Sequence, residues 1–527
     1  MKVLVTDPIA DAGIETLREA GQDVETAYDV EGAALHDRAA DANALVVRSG
    51  TDVTRALFEA ADDLVIVGRA GIGVDNIDVE AATEHGVVVA NAPEGNVRAA
   101  AEHTVAMLFA TARSIPQAHA RLRDGEWAKD AFLGTELNGK ALGVVGLGRV
   151  GQEVARRLAS LGMDLVAYDP YIGEERADQL GAELVDLETC LERADVLTVH
   201  AKLTDETRGL IGAEELARLE GGYLVNCARG GIVDEAALAE AVEDGLLRGA
   251  ALDVFASEPI DPDNPLLDVE DVVVTPHLGA STRAAQEHVA VTTAEQVLAA
   301  FRGEPVANAL NAPSIDEAAF DRLRPFVDLA ETAGRVATQL LDGRIDGVEV
   351  RYRGDIAEED VELVTASAQQ SVFAPLEWRV NAVNAPRVAE ERGVDVTESK
   401  SLQAETFRSL VTVEVSGEGE SVSVSGTLFA DDEPRLVDID GFRVDAVPHG
   451  QMLVARNLDE PGVIGFIGSV LGEHDINIAG MYNGRNTVGG EALTVYNLDD
   501  PVPAAVVETL DADDRVTQIT PIELNGQ

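Results

Sequence analysis

The stretch ALGVVGLGRVG, Ala141 to Gly151, decides the fold. It opens on an apolar run of strand length and closes on glycines at 146, 148 and 151. Helical spacing follows from Val150 to Leu161, then DLVAY reads as a second strand ending at Asp169. Strand, glycine turn, helix, strand and acid, in that order, form a dinucleotide-binding fingerprint. Gly146 permits the tight turn, Gly148 lets a pyrophosphate approach the backbone, and Gly151 allows close helix–strand packing. Arg149 and Val150 complete the turn, and the helix N-terminus offers free N–H groups and a positive dipole end. Asp169 can accept hydrogen bonds from both ribose hydroxyls and would repel a 2′-phosphate. The expected cofactor is therefore NAD rather than NADP.

Working outward, further apolar strands end at DVLTVH, GYLVN, GAALDV and DVVVTP, separated by helical stretches. With the first two they make six strands of a doubly wound parallel sheet. Upstream, KVLVT, ALVVR, LVIVG and VVVAN alternate with amphipathic segments such as Ala12 to Ala20, a smaller α/β unit. Long helices are predicted over Asn96–Ala112, Ile115–Arg123 and Thr282–Phe301, and EPVANALNAP reads as a return toward the first unit and a linker. Beyond residue 314 the character changes. VTVEV–SGEGE–SVSVSG is a period-two hairpin, and from Gln451 the order is βαββαβ.

The predicted class is thus α/β: a doubly wound NAD-binding sheet inserted in a flavodoxin-like unit, then an α+β domain and a βαββαβ domain. The expected division is 1–97 with 283–310, 98–282, 311–447 and 448–527.

The 40 basic and 95 acidic residues give a net charge of −55. The acids are spread along the chain, and lysine occurs only at positions 2, 129, 140, 202 and 400. Such a chain repels itself in dilute buffer, and molar salt would screen it, the Debye length falling to about 3 Å. A salt-rich cytoplasm is the expected setting. Nucleic acid is excluded as a partner because its phosphates would be repelled. No apolar run is long enough for a membrane span, and MKVLVTDP reads as a first strand rather than a signal peptide. Cys190 and Cys227 form no CxxC pair, and no metal site is expected.

Three residues follow the ends of later strands in the large sheet: Arg229 in NCARGGIVDE, Glu258 in DVFASEP and His277 in TPHLGAST. Ligands bind outside the carboxyl ends of such strands. An arginine can fork onto a carboxylate and polarise a carbonyl. A histidine can take a hydroxyl proton as hydride leaves the carbon. A glutamate can hold the imidazole and stabilise its charged form. Together they predict an oxidation site.

These segments and GLGRVG resemble the D-2-hydroxyacid dehydrogenase family. GRAGIGVDNID (Gly68 to Asp78), NAPEGN (Asn91 to Asn96) and GTELNGK (Gly134 to Lys140) sharpen the resemblance to its long form, the phosphoglycerate dehydrogenases. The resemblance is dense over roughly residues 1–310, clear over 451–527 and weak between. It implies Arg229, Glu258 and His277 as the catalytic trio and Asp253 near the nicotinamide. It implies Arg48, Arg69, Gly71 and Asn96 as substrate contacts, with Lys129 a third basic contact. It also implies 3-phospho-D-glycerate as substrate and a homo-oligomer, dimer or tetramer. The last segment resembles an ACT domain, which implies Asp459 and Asn477 as contacts for an amino-acid effector, L-serine. Two departures are Lys202, where the family usually has proline, and Ile72, where threonine is frequent. Other readings stay open: a sister dehydrogenase of an unphosphorylated hydroxyacid, a non-enzymatic NAD sensor, and a serine-binding module.

Overall fold

The computed structural model describes residues 1–527 except 29, 94, 314, 316, 377, 378, 404, 405 and 525–527. Glu94 of NAPEGN therefore lies outside the described residues, as does Ser314 at the expected change of character. No described helix is long and apolar enough to cross a membrane.

Strands β1 (Lys2–Val5), β2 (Asp23–Thr26), β3 (Ala44–Val47), β4 (Ile66–Arg69) and β5 (Val88–Asn91) form a parallel sheet in the order β2-β1-β3-β4-β5. That is the flavodoxin-like order. Its central strands are apolar runs because both faces are covered. Leu4, Leu45 and Val67 join one core, while Val3, Val5 and Ile66 join another. The second core is completed by Ala294 and Val297 of the helix Arg283–Phe301, which returns across the chain to this sheet. The approach is close at Gly13, where a Cβ would stand 2.6 Å from the Ala290 carbonyl oxygen. Edge strand β2 is largely solvated and has no apolar run, which is why periodicity passes over it.

Strands β6 (Ala141–Val145), β7 (Asp164–Tyr168), β8 (Ala182–Leu184), β9 (Val196–Val199), β10 (Tyr223–Asn226), β11 (Gly249–Leu252) and β12 (Val272–Val274) form the second sheet. It is parallel throughout, in the order β12-β11-β10-β9-β6-β7-β8. Seven strands stand where six were expected. The extra one, β8, has three residues at the edge. The order reverses between β6 and β9, the switch point of a doubly wound sheet. The helix Val97–Ala112 packs on this sheet through Met107 and Leu108.

Strands β13 (Gly347–Gly354), β14 (Asp395–Ser401), β15 (Ser409–Gly417), β16 (Glu420–Leu428), β17 (Pro434–Ile439) and β18 (Phe442–Ala446) form a mixed sheet. The expected hairpin is β15–β16. The helices Glu317–Leu340 and Glu362–Phe373 cover this sheet. Finally β19 (Gln451–Leu458), β20 (Ile478–Arg485), β21 (Glu491–Leu498) and β22 (Val516–Glu523) form an antiparallel sheet in the order β20-β21-β19-β22. Leu453, Ala455 and Tyr496 face the sheet's own helices, Val463–Glu473 and Ala504–Asp511. The alternate residues Met452, Val454, Leu493 and Val495 join the core of the mixed sheet.

Candidate active site

The carboxyl ends of the two parallel sheets face each other across a cleft. From the first sheet, Arg48 follows β3 and Arg69 ends β4. Together with Gly71, Asn96, Ala280 and Gln286 they line a small open pocket. Burial pushes the Arg69 guanidinium down to about 10, helped by the charges of Arg229 and Arg48. Its Nε and the Asn96 Oδ1 are buried with no hydrogen-bond partner. Buried polar atoms are nearly always paired, so these two are able to receive a partner from outside the chain.

From the second sheet come Arg229, Glu258 and His277. His277 Nδ1 lies 2.6 Å from Glu258 Oε2, and Glu258 Oε1 accepts from the Phe255 amide at 3.0 Å. Burial opposes the Glu258 charge, yet these hydrogen bonds outweigh it and hold the carboxyl below its usual range. His277 has φ +53°, a left-handed conformation uncommon for histidine. Asp253 over-determines that turn. Its fully buried carboxylate accepts from the Leu278 amide at 2.7 Å, the Gly279 amide at 2.8 Å and the Thr275 hydroxyl at 2.5 Å. His103 on the helix Val97–Ala112 stands 3.1 Å from the same carboxylate. So Asp253, expected beside the nicotinamide, is already engaged by protein donors that set the His277 loop. Arg229 donates from Nε to Asp75 at 3.3 Å and from a terminal nitrogen to the Ala228 carbonyl at 2.7 Å.

The nucleotide turn can be tested against NAD directly. Gly146 has φ +92°, and a Cβ there would stand 2.8 Å from the Ala201 amide nitrogen. A Cβ on Gly151 would collide with the Gly146 carbonyl, while at Gly148 it would meet nothing within 4 Å. The turn is thus packed below and open above, as a pyrophosphate requires. The helix runs Arg149–Ser160, so Arg149 and Val150 are its first residues. Asp169 follows β7 and accepts one backbone N–H on each oxygen, from Leu147 and Tyr171. Its other lone pairs are left for hydroxyls. Beneath the turn His200 is half-buried, and desolvation pushes its imidazole down to about 4. Lys202 is exposed.

Two expectations are not met within one chain. Lys129 is not among the residues lining the space around Arg48 and Arg69; it is exposed on the short turn Lys129–Ala131 between the exposed Trp127 and Leu133. Asp459 and Asn477 stand at opposite ends of the last sheet. Leu458 is level with Glu491 and Arg485 with Ala492, whereas Ile478 is level with Leu498. Asp459 accepts from Arg485 at 2.8 Å and the Gly489 amide at 3.0 Å, and Asn477 donates to Asp499 at 2.7 Å.

Asp75, His103 and Gln286 were not singled out by sequence. Asp75 sits in the quoted GRAGIGVDNID, but an acid in a loop carries no signal without its partner. His103 lies within a helical pattern, and Gln286 in the first turn of the returning helix, where neither periodicity nor motif marks them.

A family model described as the D-3-phosphoglycerate dehydrogenase intervening domain matches residues 322–440. One described as the D-isomer specific 2-hydroxyacid dehydrogenase, NAD binding domain, matches residues 105–279. A D-3-phosphoglycerate dehydrogenase of Archaeoglobus fulgidus is 44% identical over 99% of this chain and 100% of that one. That of Bacillus subtilis is 42% identical over 97% of each. The chain belongs to the D-3-phosphoglycerate dehydrogenase family. Among solved structures, the TT0316 protein of Thermus thermophilus matches with TM-score 0.56 and 35% identity, covering 59% of this chain and all of that one. A D-lactate dehydrogenase of Aquifex aeolicus, complexed with NAD and lactic acid, matches with TM-score 0.54 and 26% identity over 60% of this chain and all of that one. These structures are of a length to match the two parallel sheets. The full-length family relatives also span the mixed sheet and the last one.

Proposed function

We propose that this phosphoglycerate dehydrogenase family member oxidises 3-phospho-D-glycerate to 3-phosphohydroxypyruvate with NAD, the first step toward L-serine. The observation that carries the reading is the His277–Glu258 pair, 2.6 Å apart, at a cleft that also gathers Arg48, Arg69 and Arg229. NAD, when bound, supplies the hydride acceptor; the turn from Gly146 to Gly151 and Asp169 would hold it. Arg229 grips the substrate carboxylate and polarises the oxygen on C2. Glu258 holds Nδ1 of His277, so Nε2 takes the hydroxyl proton as the C2–O bond becomes a carbonyl. Arg48 and Arg69 receive the phosphate, and Asn96 and the Gly71 backbone complete the contacts. The unsatisfied Arg69 and Asn96 atoms gain partners when the anion enters.

The sheet of residues 1–97, with 283–310, serves as the substrate lobe, and 98–282 as the nucleotide lobe. Residues 448–527 act as an ACT domain for L-serine. Two copies joined antiparallel through the edge strand β20 would set Asp459 of one beside Asn477 of the other. A second pairing face comprises the exposed Ile115, Leu122, Trp127 and Leu133, and would carry Lys129 toward a neighbouring cleft. The net charge of −55 suits a salt-rich cytoplasm, with activity lost in dilute buffer.

The test is NADH formation from 3-phosphoglycerate and NAD in molar KCl, with and without L-serine. Turnover that serine suppresses supports both assignments. Turnover indifferent to serine leaves the last domain an assembly element. Turnover only of an unphosphorylated hydroxyacid overturns the substrate.

A further inference from the structure

The loop between β4 and the helix Val79–Glu84 reaches across the cleft. Apart from the two connecting segments, Asp75–Arg229 is the side-chain hydrogen bond between the lobes among the described residues. Asp75 belongs to the first lobe and Arg229 to the second. Gly73 makes the approach possible: a Cβ there would overlap the second terminal nitrogen of Arg229 and stand 2.9 Å from the Asp75 carboxylate. Three guanidinium groups, of Arg48, Arg69 and Arg229, repel one another here. Without a counter-charge on its outer edge, Arg229 would swing out of the cleft. Asp75 supplies that charge on Nε while the Ala228 carbonyl takes one terminal N–H. What remains of the fork is the second terminal nitrogen, the one a Cβ at Gly73 would overlap.

We propose that Asp75 is a positioning residue. From the opposite lobe it fixes the guanidinium plane of Arg229, so that the remaining fork meets the substrate's carboxylate and C2 oxygen. This rests on the catalytic reading of Arg229 above. The Asp75 carboxylate is 69% exposed, and exposed ion pairs contribute little to stability. Its loss should therefore appear in the rate and not in the fold.

The experiment compares full-length wild type with Asp75→Ala, Asp75→Asn and Gly73→Ala in molar KCl. It measures kcat and KM for 3-phosphoglycerate, NADH affinity by fluorescence, 3-phosphoglycerate binding by calorimetry, and Tm. Asp75→Ala should lower kcat by about tenfold or more, at unchanged Tm and NADH affinity. Asp75→Asn, which still offers Nε an acceptor but no counter-charge, should recover only part of that loss, with kcat between wild type and Asp75→Ala. Gly73→Ala should reproduce the kcat loss with Asp75 present, because it displaces the guanidinium sterically. An unchanged kcat in Asp75→Ala overturns the proposal. Tighter substrate binding with kcat kept or raised also overturns it, and makes Asp75 a competitor for the fork. If wild type turns over only another 2-hydroxyacid, the substrate assignment fails instead, and the same variants are judged on that substrate.

Discussion

Between residues 1 and 310 the two parallel sheets keep separate cores, with helices on both faces of each. Between residues 323 and 524 the mixed sheet and the antiparallel sheet share one. Across the first junction lie a cleft, three arginines and one exposed ion pair. Across the second, Met452, Val454, Leu493, Val495 and Ile522 pack with Val411, Val413 and Leu436. Interfaces of the first kind can open and close, whereas a common apolar core holds its parts together. The second pair of sheets also grips the first lobe. Asn381 donates to the Gly86 carbonyl at 2.7 Å, and Arg387 pairs with Glu80 at 3.3 Å and with Glu84. The lesson is that an apolar core ties the two C-terminal sheets to each other and several polar contacts tie them to the first lobe, while among the described residues a single exposed ion pair spans the cleft to the nucleotide lobe.

That contrast can be broken by substitution. At the cleft, changes should cost rate and spare stability. His277→Asn is expected to lower kcat by about 10²–10⁴-fold while the NADH dissociation constant and Tm stay put. Loss of NADH binding would instead make His277 part of the nucleotide site. In the shared core the pattern should invert. Leu493→Ala should cost about 2–5 kcal/mol in denaturant unfolding and leave kcat within about twofold. It should lower one transition common to both C-terminal sheets; two separate transitions would show that the core does not unite them.

Arg69 sharpens the contrast further, because in the proposed reading its charge serves binding at a cost in stability. Its burial disfavours the charge that an anionic substrate needs. Arg69→Met should raise KM for 3-phosphoglycerate by about tenfold or more and stabilise the free protein by on the order of 1 kcal/mol. A lower Tm would show that the guanidinium holds the lobe together. The smallest effect concerns Glu258. An acid held below its ordinary value stabilises the fold above its unfolded pKa and loses that contribution as pH falls through the folded one. The Tm difference between wild type and Glu258→Gln should therefore be steady at neutral pH and shrink below about pH 4.5. A difference that grows in acid would reverse the sign.

Most of the architecture was legible in the chain because its signals are local. The glycine turn, the buried parallel strands and the hairpin each announce themselves within a few residues, through the demand for positive φ at Gly146 or for apolar side chains on two covered faces. In the two parallel sheets the strands that escaped, β2 and β8, are short edges with little to bury, and in the mixed sheet β13, β14, β17 and β18 were not singled out either. The middle helices Glu317–Leu340 and Glu362–Phe373 carry no motif and were read only as part of an α+β region. For the site, position after a strand end marked Arg229, Glu258 and His277 as candidates, since the carboxyl ends of parallel strands converge.

Only the tertiary structure could decide which candidates meet. It joined His277 to Glu258, tied Asp253 to the amides of the His277 loop, and drew Asp75 from the other lobe onto Arg229. It left Lys129 out of the lining around Arg48 and Arg69 and parted Asp459 from Asn477 by the length of a strand. The reason is physical. Propensity and periodicity act over neighbouring residues, but a hydrogen bond between positions 75 and 229 exists only when two cores place their loops within about 3 Å of each other.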